Sequence, residues 1–355
     1  MSFRILLNRF CFLLIFMCCI TIPAQDAMKG SLEVKTLESE FLKENKIGID
    51  VRRNLQVYLP PDYIMSNQKY PVVYYLHSIF DSPEVIIKNR KVTTLIDNNI
   101  QEGTSKAFIL VVADFTSPTL GSLFENSSTS GHWLDFITKE LVPYVDKEFR
   151  TIANKNSRAV IGDFMGGRGA LKLGMAYPEL FGIVYAMHPV ATGSGYLPRS
   201  GIGVDWSKIH SATSYDDLVG TGRTQIFASI CQAFLPNPNR PPLYADFLFE
   251  KQEDQTLHLH PKNVRKEQKE FHLDEALDRY AVNLQNLKAI AFDWARFDPT
   301  QAHVISNRRF SKKLMDLGIA HVGEEFVGDP WNKYWGNHGR FTTRVLPFLN
   351  EHLSF

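Results

Sequence analysis

The chain has 355 residues, and its 39 Lys and Arg nearly balance its 38 Asp and Glu, which leaves a net charge of +1. Since 44% of its residues are hydrophobic, it is not a disordered chain. No segment has the excess of Lys and Arg that marks a nucleic-acid-binding surface. Three of the four cysteines lie within the first 20 residues, so cysteine predicts neither a disulfide framework nor a metal site.

The N-terminus has the pattern of an export signal. Arg4 and Arg9 are followed by an apolar run over 10–22 and then by Pro23-Ala24-Gln25. The run is too short to span a bilayer comfortably, so we predict a cleaved signal peptide at 1–25. A retained anchor is the alternative. The mature protein, residues 26–355, is expected to be periplasmic or secreted and free of the membrane.

Short apolar runs alternate with amphipathic stretches along the mature chain. The pattern predicts strands over 52–59, 71–76, 107–113, 157–161, 182–187, 287–292 and 321–327, and helices over 83–98, 131–149, 166–177, 303–317 and 340–353. This alternation is typical of an α/β fold with a mostly parallel sheet and helices on both faces. Residues 192–285 interrupt it, and we predict an inserted, lid-like region at the carboxyl edge of the sheet, where ligands bind in such folds.

The most informative segment is the predicted strand, turn and helix over 157–177. Its turn reads Gly162-Asp163-Phe164-Met165-Gly166, which has the layout of the nucleophile elbow, G-x-S-x-G. The apex of the turn is Phe164, whose side chain has no nucleophilic atom. Asp163 precedes the apex, and we expect it to make local turn contacts and to point away from the reacting groups.

Several segments together carry a family resemblance, although each alone is weak. They are VYLPPDY at 57–63, YPVVYYLH at 70–77, GHWLDFI at 131–137, the elbow over 158–171 and PELFG at 178–182. Over about residues 50–353 the chain resembles the esterase-D-like and feruloyl-esterase-like family of the α/β-hydrolases. The resemblance implies the α/β-hydrolase fold and hydrolysis of carboxylic esters by a serine, a histidine and an acid.

Only part of that triad is carried over. Asp298 matches the acid, whereas the nucleophile position is Phe164 and the histidine position is Pro330, after the stretch Glu324-Glu325-Phe326-Val327-Gly328. His338 lies eight residues later and is an alternative base.

The resemblance also implies an oxyanion hole, and the loops around it carry aromatic residues. The hole would use backbone N–H groups of Met165 and of Ser78 or Ile79. Loops near this site carry three tryptophans that could line a ligand cleft: Trp294, Trp331 and Trp335.

Two functional hypotheses follow. In the first, the protein has lost serine-esterase chemistry and binds a carbohydrate- or phenolic-ester-like molecule, or another protein. In the second, it is an active carboxylic-ester hydrolase in which Asp298 and His338 activate a water. Neither hypothesis needs a cofactor.

The remaining histidines and one charged stretch are expected to be structural or solvent-exposed. His258 and His260 have no third ligand nearby, so no metal site is predicted. We expect His77, His132 and His188 to pack or to lie on the surface. The charged stretch over 262–269 is predicted to be a solvated helix face.

Overall fold

Eight strands form one sheet, and two short hairpins lie outside it, Asn126–Ser127 with Gly131–His132 and Phe249–Lys251 with Leu257–Leu259. The computed structural model describes residues 29–194, 203–331 and 334–355, so the predicted signal peptide lies outside the described residues. The strands of the sheet are β1 (Ser31–Glu38), β2 (Arg52–Leu59), β3 (Val72–Leu76), β4 (Ile109–Ala113), β5 (Arg158–Asp163), β6 (Ile183–Met187), β7 (Ala289–Ala295) and β8 (Val322–Phe326). Their spatial order is β1-β2-β4-β3-β5-β6-β7-β8.

The sheet is mostly parallel, as predicted. Strands β1, β2 and β4 pair antiparallel at one edge, and the pairs from β4 to β8 are all parallel. Every residue of β3, β4 and β5 is buried, because helices cover both faces. Successive residues therefore enter different cores: Tyr74 packs on one side of the sheet and Tyr75 on the other. This is the α/β-hydrolase fold that the sequence predicts.

Helices flank the sheet on both sides. The α-helices of more than one turn, including those of the insertion, are α1 (Val92–Gln101), α2 (Val142–Glu148), α3 (Met165–Ala176), α4 (Trp206–Ser211), α5 (Arg223–Phe234), α6 (Pro261–Phe271), α7 (Leu277–Gln285), α8 (Gln301–Asp316) and α9 (Leu346–His352). Turns of π-helix precede three of them: Val85–Asn89, Phe136–Leu141 and Phe341–Val345. None of the helices among the described residues combines the length and the apolar character needed to span a bilayer.

Helices α4 to α7 lie between β6 and β7, in the predicted insertion. Trp206, Cys231 and Leu248 are among the residues of a small hydrophobic cluster that this region forms by itself. Arg168 of α3 ties the region to the sheet. This fully buried guanidinium donates to the backbone carbonyls of Phe271 (2.9 Å) and Glu270 (3.1 Å) at the end of α6. The contact holds α6 over the amino end of α3.

Candidate active site at the nucleophile elbow

The elbow is present, with a phenyl ring at its apex. Strand β5 ends at Asp163 and α3 begins at Met165, so Phe164 alone makes the turn, with φ 50° and ψ −112°. A positive φ is strained for any residue with a side chain. A Cβ atom at Gly166 would lie 1.9 Å from the carbonyl oxygen of Leu76, so only glycine allows α3 to approach β3 this closely.

The Phe164 ring separates two cavities. It stacks on Trp331, with ring centroids 4.7 Å apart and planes 25° apart, and its centroid lies 5.3 Å from that of His188. Phe164 and Trp331 line both cavities. The elbow therefore presents an aromatic wall at the position where a serine oxygen would be presented to an ester.

The larger cavity is mainly apolar and has a volume of about 360 Å³. The carboxyl edge of the sheet and its loops supply one wall, which includes Ile79, Phe164, Met165, Asp298, His303 and Trp331. The insertion supplies another wall, which includes Ile226, Ile230, Glu267 and Phe271. The volume falls within the usual range for small-molecule sites.

Asp298 is the acid of this cavity, and three hydrogen bonds converge on its carboxylate. Its Oδ2 atom lies 2.8 Å from His188 Nε2 and 2.8 Å from His303 Nδ1, and its Oδ1 accepts the backbone N–H of Thr300 at 2.7 Å. Burial alone would raise the pKa of Asp298, but the hydrogen bonds from the two histidines hold this pKa well below its usual range. Asp298 is therefore an anion throughout the neutral pH range.

The tautomer of His188 follows from its other ring nitrogen. The backbone N–H of Ala295 donates to Nδ1 at 3.0 Å, so the ring proton is on Nε2, which donates to Asp298. The ligand atoms of His188, Asp298 and His303 are close enough together to hold a metal ion. A metal-binding histidine, however, uses a bare nitrogen and donates from the other one. His188 has the opposite arrangement, which fits a hydrogen-bonded cluster and not a metal centre.

His303 is oriented like the histidine of a catalytic triad. Its Nδ1 faces the carboxylate of Asp298, which is how an acid orients the base in a Ser-His-Asp triad. His303 also lines the apolar cavity, where Phe164 stands in the place of the serine. The acid–base half of a triad is thus assembled beside an apex that has no nucleophile.

The structure does not bring His338 to Asp298. His338 is exposed in the turn before α9, and among the described residues the histidines bonded to Asp298 are His188 and His303. Pro330 lines the smaller cavity together with Phe164. His188 is fully buried, as expected of a packing group, but its ring also bonds to the acid, which the sequence did not predict.

Two of the three residues predicted for an oxyanion hole reach the cavity. Met165 and Ile79 line it beside Phe164. Ser78 is buried, and its backbone carbonyl lies 2.8 Å from His77 Nδ1. His77 accepts the N–H of Phe115 at Nε2, which confirms its structural role.

The three predicted tryptophans have different surroundings. Trp331 lines both cavities and is 54% exposed. Trp335 lines the smaller cavity and packs beside Tyr75. Trp294 is buried, stacks on Phe292 and donates to Glu325. A ligand-lining role for Trp294 is wrong, because its side chain belongs to the core.

The smaller cavity, about 190 Å³, is polar and contains Asp163. The carboxyl of Asp163 accepts a hydrogen bond from the hydroxyl of Tyr75 at 3.0 Å. Burial, with a smaller contribution from the charge of Asp81, raises the pKa of Asp163 to about 7. Asp163 thus faces the polar cavity and not the cavity that holds Asp298.

A buried network holds the loop that carries Pro330 and Trp331. Asp293 of β7 is fully buried and accepts hydrogen bonds from Tyr185 (2.9 Å), Tyr334 (3.1 Å) and Arg340 (2.6 Å). Two of these donors, Tyr334 and Arg340, follow Trp331 in the chain, so the network ties this segment to β7, the neighbour of the edge strand.

The amino-acid sequence of this chain is similar to the sequences of known esterases. Residues 48–291 match a family model described as "Putative esterase". The chain is 30% identical over 152 residues to an endo-1,4-beta-xylanase/feruloyl esterase of Xylanibacter ruminicola, which covers 40% of this chain and 20% of that protein. It is 31% identical over 167 residues to an esterase of Mycobacterium tuberculosis, which covers 44% of this chain and 33% of that protein. The chain thus spans only a fifth to a third of the length of these relatives.

Solved structures show the same fold over nearly the whole chain. A ferulic acid esterase superposes with a TM-score of 0.62 at 18% identity, covering 92% of this chain and 100% of that one. An S-formylglutathione hydrolase from Agrobacterium tumefaciens superposes with a TM-score of 0.57 at 15% identity, covering 92% of this chain and 97% of that one. The elbow, the sheet order and the family match lead to one conclusion: the chain belongs to the putative-esterase family of the α/β-hydrolases.

Proposed function

We propose that this protein is an exported member of the family that binds a phenolic-ester- or carbohydrate-ester-like ligand and lacks serine-esterase activity. The observation that carries the proposal is the apex of the elbow, where Phe164 stacks on Trp331 in place of a nucleophile. Losing a triad serine lowers turnover by roughly 10⁶-fold. What the site then retains is its ability to bind.

The cavity suits an aromatic ligand with a few polar groups. Its walls are mostly apolar, and Phe80 and Trp331, 57% and 54% exposed, lie where it meets solvent. Exposed rings of this kind stack on sugars and on phenolic rings. One structural neighbour, the feruloyl esterase module from Clostridium thermocellum, is complexed with sinapinate, which makes hydroxycinnamate esters the first ligands to test.

Calorimetric titration with methyl ferulate tests this proposal. We expect the protein to bind it with a Kd in the micromolar range, and Trp331→Ala to weaken binding about tenfold, because a stacking wall is lost. Phe297→Ala is the matched control, since Phe297 is an exposed aromatic of a nearby loop that lines neither of the two described cavities. No heat of binding, or an equal loss in both variants, would contradict the proposal.

A second candidate function is slow ester hydrolysis without a serine. It is favoured by His303, whose Nδ1 lies 2.8 Å from Asp298 Oδ2, the arrangement in which an acid orients a general base. In this version His303 replaces His338 as the base. Phe164 and Trp331 restrict the space available to that water, so the rate would be low.

Hydrolysis of p-nitrophenyl butyrate distinguishes the two functions. Under the second candidate, His303→Ala lowers turnover at least about tenfold, whereas His338→Ala, a change at an exposed position, leaves it unchanged. If the wild type, His303→Ala and His338→Ala all hydrolyse the ester no faster than buffer does, the result supports the binding function alone.

A further inference from the structure

One carboxyl of the apolar cavity is not used by either function described above. Helix α6 buries a single stripe of residues, Val264, Glu267 and Phe271, at the spacing at which an amphipathic helix places apolar side chains. The middle residue of the stripe is a glutamate, which is only 4% exposed. The expectation that this stretch is a solvated face is therefore wrong for Glu267, whose side chain lines the cavity.

The Glu267 carboxyl has no partner in the part of the chain that the structure describes. Among the described residues no hydrogen bond or ion pair reaches it, although a buried carboxyl without one costs several kcal/mol when charged. On the neighbouring helix α5, burial raises the pKa of the Cys231 thiol, which is also close enough for the charge of Glu267 to raise this pKa further. The other titratable groups of the cavity are Arg223, Asp298, His272 and His303.

Burial keeps this carboxyl neutral. It raises the pKa of Glu267 to about 8, and no neighbouring charge contributes to the shift. At neutral pH the group is mainly a carboxylic acid, which has one O–H to donate. An unpartnered donor in the wall of an apolar cavity is the kind of polar group that orients a ligand.

We propose that Glu267 is the ligand-orienting group of the insertion: its protonated carboxyl donates a hydrogen bond to an uncharged oxygen, such as a methoxy or ether oxygen, on the aromatic part of the ligand. This rests on the binding function proposed above and narrows its ligand class to neutral aromatic esters that carry ring oxygens. The ester group would face Phe164 and Met165, and the oxygenated ring would face α6.

The test compares two probes that do not titrate, methyl 3,4-dimethoxycinnamate and methyl cinnamate, by calorimetry at pH 6 and at pH 9.5. At pH 6 we expect the dimethoxy ester to bind about fivefold more tightly, the effect of one hydrogen bond. At pH 9.5 Glu267 is an anion with no proton to donate, so this preference should disappear. Methyl cinnamate has no ring oxygens, so its change in affinity between the two pH values measures only the effect of charging the cavity.

Two variants separate this role from a general effect of pH. Glu267→Gln keeps N–H donors and does not titrate, so it should keep the preference for the dimethoxy ester at both pH values. Glu267→Leu should bind both esters equally at both pH values. The inference is overturned if the wild-type preference persists at pH 9.5, or if Glu267→Leu retains it.

The outcomes also distinguish this inference from the proposed function. If methyl cinnamate binds and the ring oxygens add nothing, the cavity holds aromatic esters but Glu267 does not orient them. If neither ester binds the wild type at pH 6, the proposed function fails, and the inference fails with it.

Discussion

The double variant Phe164→Ser/Pro330→His is expected to hydrolyse p-nitrophenyl butyrate roughly 10²–10³ times faster than the wild type. Position 164 already has the strained backbone of a nucleophile elbow. Asp298 is already an anion in the cavity wall, and Met165 and Ile79 line the same cavity. The variant adds a nucleophile at the apex and a histidine at the family's histidine position to a framework that retains the other groups.

The matched control is Phe164→Ala/Pro330→His, which removes the same ring but adds no nucleophile. We expect it to remain at the wild-type rate. Adding His303→Ala to the active variant then shows whether residue 303 or residue 330 serves as the base. Equal rates in the serine and alanine variants, or a folded serine variant without activity, would show that the frame is no longer that of an esterase.

Gly166→Ala is expected to destabilise the protein by more than about 4 kcal/mol, an effect at the far end of the range for single substitutions. The added Cβ would lie 1.9 Å from the Leu76 carbonyl oxygen and 2.6 Å from its carbon. Both atoms are backbone atoms of the central strand β3, so no side-chain rotation can relieve the clash. Helix α3 would have to move away from the sheet.

Gly167→Ala provides the comparison. An added Cβ would lie 3.2 Å from its nearest neighbours. A small shift of the backbone relieves this contact, and we expect the free energy of unfolding to fall by about 1 kcal/mol. Urea unfolding followed by circular dichroism measures both variants. If Gly166→Ala unfolds at the same midpoint as Gly167→Ala, the close approach of α3 to β3 does not limit stability.

The strand and helix pattern could be predicted because it depends on local periodicity. Residues 71–76 form a continuous apolar run, and the structure buries all of Val72–Leu76. The elbow could be predicted for the same reason, since Gly162, Phe164 and Gly166 are close in sequence and the turn they make is local. Its altered apex was therefore evident without any structure.

The histidine partners of Asp298 could not be predicted in this way. His188 is 110 residues from Asp298 in the chain, and the two meet because β6 and β7 are neighbours in the sheet. One signal was available: each residue follows the end of a predicted strand, and parallel strands end at the same edge. His303 lies only five residues after Asp298, at the start of α8, but proximity in sequence does not show which ring nitrogen faces the acid.

The sequence by itself determined the fold class, the family and the absence of a serine at position 164, because each is written in contiguous residues. Only the tertiary structure decided which polar groups are buried and what they contact. Glu267 lies in a stretch of ionisable residues that looks like surface in the sequence, yet packing of α6 against α5 removes its side chain from water. The energetic state of such a group depends on its solvation and on neighbours distant in the chain, and these exist only after the chain has folded.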